Sequence, residues 1–178
     1  MGGTTMEWML MPLRRYAEFQ GRSRRKEYWM YTLFVVLIYV AAFIVFAIIA
    51  GGALAASAAA GGAPGIGSLM AMGGAAGLMF MLIGLLWLVL FIPSLAVAFR
   101  RLHDIDRSGW WALVPTVLSI ASLAGGSVDP TISVLLSGGS LIASLVLLVF
   151  FFMDGTRGPN RFGLDPKDPA GDLAQVFS

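Results

Sequence analysis

The chain has 178 residues, of which 58% are hydrophobic and only 12% are charged, with a formal net charge of +2 at pH 7. A soluble domain carries roughly 25% charged residues because its surface faces water, so this composition excludes an ordinary soluble protein. The chain contains no cysteine, which excludes disulfides, thiolate catalysis and cysteine-ligated metals.

All twelve Lys and Arg residues fall in three short clusters, at positions 14–26, 100–107 and 157–167. Long uncharged runs separate these clusters, and only Asp129 interrupts the second run. Basic residues next to membrane spans favour the cytoplasmic side, so the pattern predicts a polytopic membrane protein with all three clusters in the cytoplasm. Membrane topology therefore accounts for the basic clusters, and we expect no nucleic-acid partner.

The predicted elements begin with a cytoplasmic segment, residues 1–27. Leu13, Tyr16, Ala17 and Gln20 share one helical face there, which predicts a short helix lying on the membrane surface. Residues 28–153 form the predicted transmembrane domain, and residues 154–178 a cytoplasmic tail.

Four apolar segments in the transmembrane domain approach or exceed the roughly 20 residues that a helix needs to cross a bilayer. We place the spans at residues 28–51, 69–99, 110–124 and 131–153, with a Gly/Ala-rich loop over residues 52–67. Four spans put both termini on one side, as the basic clusters require. The predicted fold is an all-α integral membrane protein with four transmembrane helices and a short interfacial N-terminal helix.

Small residues indicate how the spans pack. Gly73 and Gly77 form a small-xxx-small pair in the second span. The fourth span carries serines at helical spacing: Ser133, Ser137, Ser140 and Ser144. We interpret both sets as packing faces rather than as a polar pathway, because translocation paths usually carry an ionisable group inside the membrane.

Three polar strings flank the spans. They are Gly21-Arg22-x-x-Arg25-x-Glu27-Tyr28-Trp29, then Arg100-Arg101-Leu102-His103-Asp104 followed by Ser108-Gly109-Trp110-Trp111, and finally Gly155-x-x-Gly158-x-Asn160-x-Phe162-Gly163-x-Asp165-Pro166. Together these strings resemble the bacterial inner-membrane family known as domain of unknown function 805, over about residues 6–166. The resemblance implies a small four-span protein of the bacterial inner (plasma) membrane and implies no activity.

Metal, cofactor and enzyme hypotheses find little support. Asp104, Asp106 and Ser108 are spaced like the start of a calcium-binding EF-hand loop, but Pro115 occupies the position that needs a bidentate Glu. His103 is the only histidine, whereas a transition-metal site needs several ligands. No nucleophile with a base at a familiar spacing and no phosphate-binding loop is present. We therefore predict a non-enzymatic protein without a cofactor.

The basic strings allow two interpretations. The residues could bind an anionic headgroup or another phosphate, since guanidinium groups match phosphate oxygens; the candidates are Arg22, Arg25, Arg100, Arg101, His103 and Arg107. Alternatively they fix topology and form ion pairs, with a predicted network of Arg22, Glu27, Arg101 and Asp104. We favour the structural role for most of them, and the Arg100–Asp104 run is the best candidate for a ligand.

Two classes of function remain open. One is a membrane module that binds anionic lipid or a partner protein through its basic cytoplasmic face. The alternative is a subunit of an oligomeric transporter or channel, in which several copies of the chain form the pathway. A homo-oligomer or a membrane partner protein is compatible with both.

Overall fold

The computed structural model describes residues 4–59 and 65–167, and this part of the chain is helical without strands. Four of its helical stretches are long and apolar enough to cross a membrane. This confirms the predicted all-α fold with four candidate spans and a short N-terminal helix. The helices are α1 (Thr5–Arg14), α2 (Arg25–Ala59), α3 (Ile66–Asp104), α4 (Val114–Gly126) and α5 (Pro130–Phe152), and a 3-10 helix (Gly109–Leu113) precedes α4.

The first two spans are longer than predicted. Helix α2 continues to Ala59, through much of the predicted 52–67 loop, because this stretch is rich in alanine, the strongest helix former. Residues 60–64 of that loop lie outside the described residues. Helix α3 continues past the predicted end at residue 99 as far as Asp104. The second basic cluster therefore begins on the last turns of a helix and not in the loop that the sequence predicts.

The N-terminal helix lies earlier in the chain than predicted. Thr4 starts it with a capping box, in which the Thr4 hydroxyl accepts from the Glu7 N–H and a Glu7 carboxylate oxygen accepts from the Thr4 N–H at 2.7 Å. The chain leaves the helical conformation at Arg15, so residues 16–20 do not form the predicted amphipathic face. The capping box was the signal for this boundary, and the prediction overlooked it.

The third span combines two kinds of helix. The 3-10 helix Gly109–Leu113 leads directly into α4, whose first turn contains Pro115. Pro115 is tolerated there because a backbone N–H in the first turn of a helix has no intrahelical partner. A 3-10 helix rises about 2.0 Å per residue and an α-helix about 1.5 Å. The 18 residues of this span are therefore about 30 Å long, which is enough to cross the hydrocarbon region.

Helices α4 and α5 form an antiparallel hairpin whose contact is partly polar. The Ser140 hydroxyl lies 2.7 Å from the Ser119 hydroxyl and donates to the Pro115 carbonyl at 2.8 Å. Ser133 packs near the α4 backbone, where a Cβ on Gly126 would meet it at 3.4 Å. Ser137 and Ser144, by contrast, are exposed within the chain. The four serines therefore lie on two sides of α5. Ser133 and Ser140 face α4, and Ser137 and Ser144 do not.

Replacing Ser140 with alanine is expected to lower the free energy of unfolding by about 0.6 to 1.7 kcal/mol, because interhelical hydrogen bonds in membranes have this strength. Ser137→Ala is the matched control on the same helix, and we expect no measurable change. Both values are obtainable from equilibrium unfolding in mixed micelles. Equal effects of the two changes would show that the hydrogen bonds of Ser140 do not stabilise the hairpin.

The described chain divides into two units. The second, residues 32–92, consists of the membrane segments of α2 and α3, which line an apolar groove of about 420 Å³ through residues 42–49 and 74–82. A Cβ added to Gly73 or Gly77 would meet nothing within 4 Å, so this predicted packing pair makes no close contact within the described chain.

The first unit contains residues 1–31 and 93–178 as far as they are described, and it holds the buried core. Leu102 and Ile105 from the end of α3 pack with Leu147 and Phe151 from the end of α5. This core brings the ends of two helices together with the start of α2. All three polar strings therefore meet in one unit, at what we call the charged end.

Candidate functional site

Asp104 is the centre of the charged end. It is only 2% exposed, and each of its carboxylate oxygens contacts a different arginine. Arg22 Nε lies 3.1 Å from Oδ1, and Arg101 Nη1 lies 2.7 Å from Oδ2. A buried carboxylate is costly unless it is paired in this way. We call Arg22, Arg101 and Asp104 the hub.

The two hub arginines also bind the backbone that follows α5. Arg22 donates to the Thr156 carbonyl at 2.5 Å and to the Gly158 carbonyl at 2.7 Å. Arg101 donates to the carbonyls of Met153 and Phe151. The hub therefore fastens the C-terminal tail to the ends of α3 and α5, and the donors of both arginines are used within the chain.

The tail also supplies hydrogen-bond donors to the last carbonyl groups of α3. The last carbonyls of a helix have no intrahelical partner. The Thr156 N–H donates to the Asp104 carbonyl at 2.8 Å, and the Asn160 side chain donates to the His103 carbonyl at 2.9 Å. The His103 ring stacks on Phe162, with 3.9 Å between ring centroids, and its Nδ1 lies 3.2 Å from the Gly21 carbonyl oxygen. His103 thus links the N-terminal segment to the tail.

Glycines shape the tail around these contacts. A Cβ added to Gly155 would lie 2.1 Å from Asp104 Oδ2, so only glycine lets the backbone approach the hub this closely. Gly158 and Gly163 have positive φ values of 74° and 138°, which favour glycine. The Asp165 carboxylate accepts from the Gly158 N–H at 3.3 Å and closes the turn.

A second ion pair lies beside the hub. Arg100 is completely buried, and its Nη2 lies 3.1 Å from a carboxylate oxygen of Glu27. The predicted network of four residues is therefore divided, because Glu27 pairs with Arg100 and not with Arg22 or Arg101. The Arg100 carbonyl also accepts from the Ser23 N–H at 3.0 Å, which holds the start of α2 against α3.

Four further ion pairs are peripheral and partly exposed. Asp154 is shared by Arg25 at 2.7 Å and Lys167 at 3.3 Å, and Arg161 pairs with Asp106 at 3.1 Å. Arg15 pairs with Glu18 at 2.5 Å, and this hydrogen bond holds the pKa of the Glu18 carboxyl below its ordinary value. Exposed pairs of this kind contribute at most about 1 kcal/mol each.

The six candidate phosphate-binding residues have different environments. Arg22, Arg100 and Arg101 are buried and paired, and Arg25 is paired with Asp154. His103 is half-buried against Phe162. Arg107 alone among the arginines of this set is exposed without a carboxylate partner in the described chain; its guanidinium lies 5.6 Å from the centre of the Phe150 ring.

Other basic residues without a carboxylate partner were not among the predicted candidates. In the part of the chain that the structure describes, these are Arg14, Arg24, Lys26 and Arg157. Helical spacing would have paired Arg24 with Glu27, three positions later, whereas Glu27 turns toward Arg100. No sequence signal separates the paired cations from the unpaired ones.

The charged end offers little to a metal ion. Among the described residues, no three His, Asp or Glu side chains are grouped so that they could hold one. A polar cavity of about 340 Å³ lies beside the hub, lined by Asp104, Asp154, Asp165, Arg157, Lys167 and residues 155–156. Its lining mixes both signs of charge, so it favours neither a free cation nor a free anion.

Four apolar helices with a buried ion-pair hub at one end define a polytopic α-helical membrane protein. The chain belongs to the family described as Protein of unknown function (DUF805), whose model matches residues 16–164. This confirms the resemblance inferred from the three polar strings, and the strings are the segments that build the hub and the tail.

Related proteins are known in Escherichia coli. The chain is 35% identical over 163 residues to inner membrane protein YhaI of strain K12, covering 91% of this chain and 97% of the relative. It is 34% identical over 167 residues to inner membrane protein YhaH of the same strain, covering 91% and 98%. Uncharacterized protein YiiR is 33% identical over 92 residues, or 50% of this chain and 60% of YiiR. No solved structure matches the chain.

Proposed function

We propose that this protein is a non-enzymatic module of the bacterial inner membrane, with both termini in the cytoplasm, that binds anionic lipid through its charged end. The observation that carries the proposal is that only some of the basic residues form ion pairs with carboxylates. Seven of the twelve are paired with carboxylates, and the other five have no carboxylate partner in the described chain: Arg14, Arg24, Lys26, Arg107 and Arg157.

Unpaired cations at the end of a membrane span attract anionic headgroups. Each Lys or Arg near an anionic surface contributes about 1 kcal/mol of attraction. Trp110 and Trp111, which follow Arg107 closely, are 70% and 43% exposed, as expected of aromatic residues at a membrane interface. Exposed cations beside exposed tryptophans support a surface that meets lipid headgroups.

Lipid retention tests this proposal. The full chain is reconstituted with equal amounts of phosphatidylglycerol and phosphatidylethanolamine, and the lipids that it retains are counted by native mass spectrometry. We expect phosphatidylglycerol to be enriched, and the enrichment to disappear when the five unpaired cations are changed to glutamine. A variant carrying Arg161→Gln and Lys167→Gln, which are exposed but paired, is the control. Equal retention of both lipids by the unmodified chain would refute lipid binding and favour a protein partner or an oligomeric pathway.

The cytoplasmic orientation has its own expected result. Val128 is 81% exposed in the turn between α4 and α5, and Pro159 is exposed in the tail. In intact cells, a membrane-impermeant maleimide should label Val128→Cys and leave Pro159→Cys unlabelled until the cells are broken. The reverse pattern would place the charged end outside the cytoplasm, against the positive-inside rule.

A further inference from the structure

Two of the unpaired cations converge on one aromatic ring. The Arg24 guanidinium carbon lies 5.9 Å from the centre of the Trp8 ring, and Lys26 Nζ lies 5.4 Å from it. Both distances are within the range of a cation–π contact. We call Trp8, Arg24 and Lys26 the Trp8 site. It joins α1 to the start of α2, which the sequence separates by a polar segment.

Neither cation of the Trp8 site forms an ion pair within the described chain. Of the acidic residues in the first 27 positions, Glu18 pairs with Arg15 and Glu27 pairs with Arg100, whereas Glu7 accepts a hydrogen bond from the Thr4 N–H. Arg24 also directly precedes α2, whose first backbone N–H groups form the positive end of the helix dipole. Two like charges held near one ring repel each other, and a bound anion would reduce that repulsion.

The position of the site in the chain sets its depth in the membrane. The apolar stretch of the first span begins at Tyr28, two residues after Lys26. Both cations therefore lie within about one helical turn of the hydrocarbon boundary, which is the depth of lipid phosphates. Trp8 is half-buried, and tryptophan favours this same interfacial depth.

From this geometry we infer that the Trp8 site binds the phosphate of an anionic phospholipid, with Arg24 and Lys26 as its ligands and Trp8 holding both in place. The inference rests on the proposed function and selects one site within it. Arg107 differs because it lies alone against Phe150, and no second cation shares its ring in the described chain. A single unpaired cation attracts lipid but does not enclose a phosphate.

Matched pairs of substitutions in the full-length protein test the site. Arg24→Gln with Lys26→Gln removes two charges from the Trp8 site, and Arg107→Gln with Arg157→Gln removes two charges elsewhere at the charged end. By native mass spectrometry, we expect the first pair to reduce the retention of phosphatidylglycerol relative to phosphatidylethanolamine by more than the roughly 10- to 30-fold that the loss of two surface charges alone would cause. The second pair should have a clearly smaller effect, and Arg24→Lys with Lys26→Arg should preserve retention.

Each other outcome overturns the inference in a distinguishable way. Equal losses in the two pairs would mean that only total charge matters, so the Trp8 site would be refuted while lipid binding would stand. Loss in the second pair alone would likewise refute the Trp8 site and leave lipid binding intact. No preference for phosphatidylglycerol in the unmodified chain would overturn both proposals. Millimolar inorganic phosphate that abolishes the preference would assign the site to free phosphate instead of lipid. Thermal unfolding of each variant identifies any that has lost its fold.

Discussion

Replacing Asp104 with alanine is expected to lower the free energy of unfolding by about 3–5 kcal/mol, the usual cost of removing one partner from a buried ion pair. Asp104 lies between Arg22 and Arg101, and all three side chains are buried. Its removal leaves two buried guanidinium groups without a counter-charge. Folded proteins are stable by only about 5–15 kcal/mol, so this loss is a large part of the total and should lower the amount of the variant found in cells.

Asp106→Asn provides the control for this change, because Asp106 has a φ of 55°, a conformation that Asn adopts more readily than Ala. Asp106 lies two residues further on and also pairs with an arginine, but both Asp106 and Arg161 are largely exposed to solvent. We expect it to cost less than about 1 kcal/mol. Unfolding in mixed micelles gives both values. Similar losses for the two variants would show that the buried ion pairs of the hub contribute no more to stability than an exposed pair.

Gly155→Ala is expected to be strongly destabilising, although it adds only one methyl group at the charged end. The new Cβ would lie 2.1 Å from Asp104 Oδ2, so either the tail or the Asp104 carboxylate must move. Overpacking alone costs about 1–3 kcal/mol, and displacement of Asp104 would also weaken its contacts with Arg22 and Arg101.

The helical glycine Gly138 is the matched control for Gly155, because a Cβ added to it meets nothing within 4 Å. Gly138→Ala should be neutral or slightly stabilising, since alanine favours helix more than glycine does. Limited proteolysis of the tail gives an independent measurement, and we expect faster cleavage after Met153 only in Gly155→Ala. A Gly155→Ala protein as stable and as protease-resistant as the unmodified chain would contradict the described position of the tail.

The sequence predicts the membrane architecture well for a physical reason. A span must be apolar over about 20 residues, and this signal is stronger than any local turn preference. Helix ends are less predictable, because residues 52–59 and 100–104 extend their helices through helix propensity and tertiary contacts that hydropathy does not measure. The prediction also missed the start of α1, which the Thr4 capping box determines locally.

The charged end is only partly predictable from the sequence. Opposite charges near three helix ends indicate ion pairs, and the pairs of Asp104 with Arg22 and Arg101 follow that expectation. The choice of partner depends on side-chain direction, so the sequence could not assign Glu27 to Arg100. It also could not show that Arg22 binds backbone carbonyls of the tail, since such contacts leave no charge pattern.

The three family strings have a common structural role at the hub. The first string supplies Arg22, the second Arg101 and Asp104, and the third the glycines that bring the tail to the hub. Together they fasten the helix ends to one another.

A double-mutant cycle on Arg101 and Asp104 tests the central claim, that the hub is one buried and coupled network. The free energy of unfolding is measured for Arg101→Ala, Asp104→Ala and the double variant. We expect the double variant to be more stable than the sum of the single losses predicts, by about 1–3 kcal/mol, because removing both partners leaves fewer unpaired buried charges. Losses that add to within about 0.5 kcal/mol would show that Arg101 and Asp104 do not interact, and the hub would not exist as described.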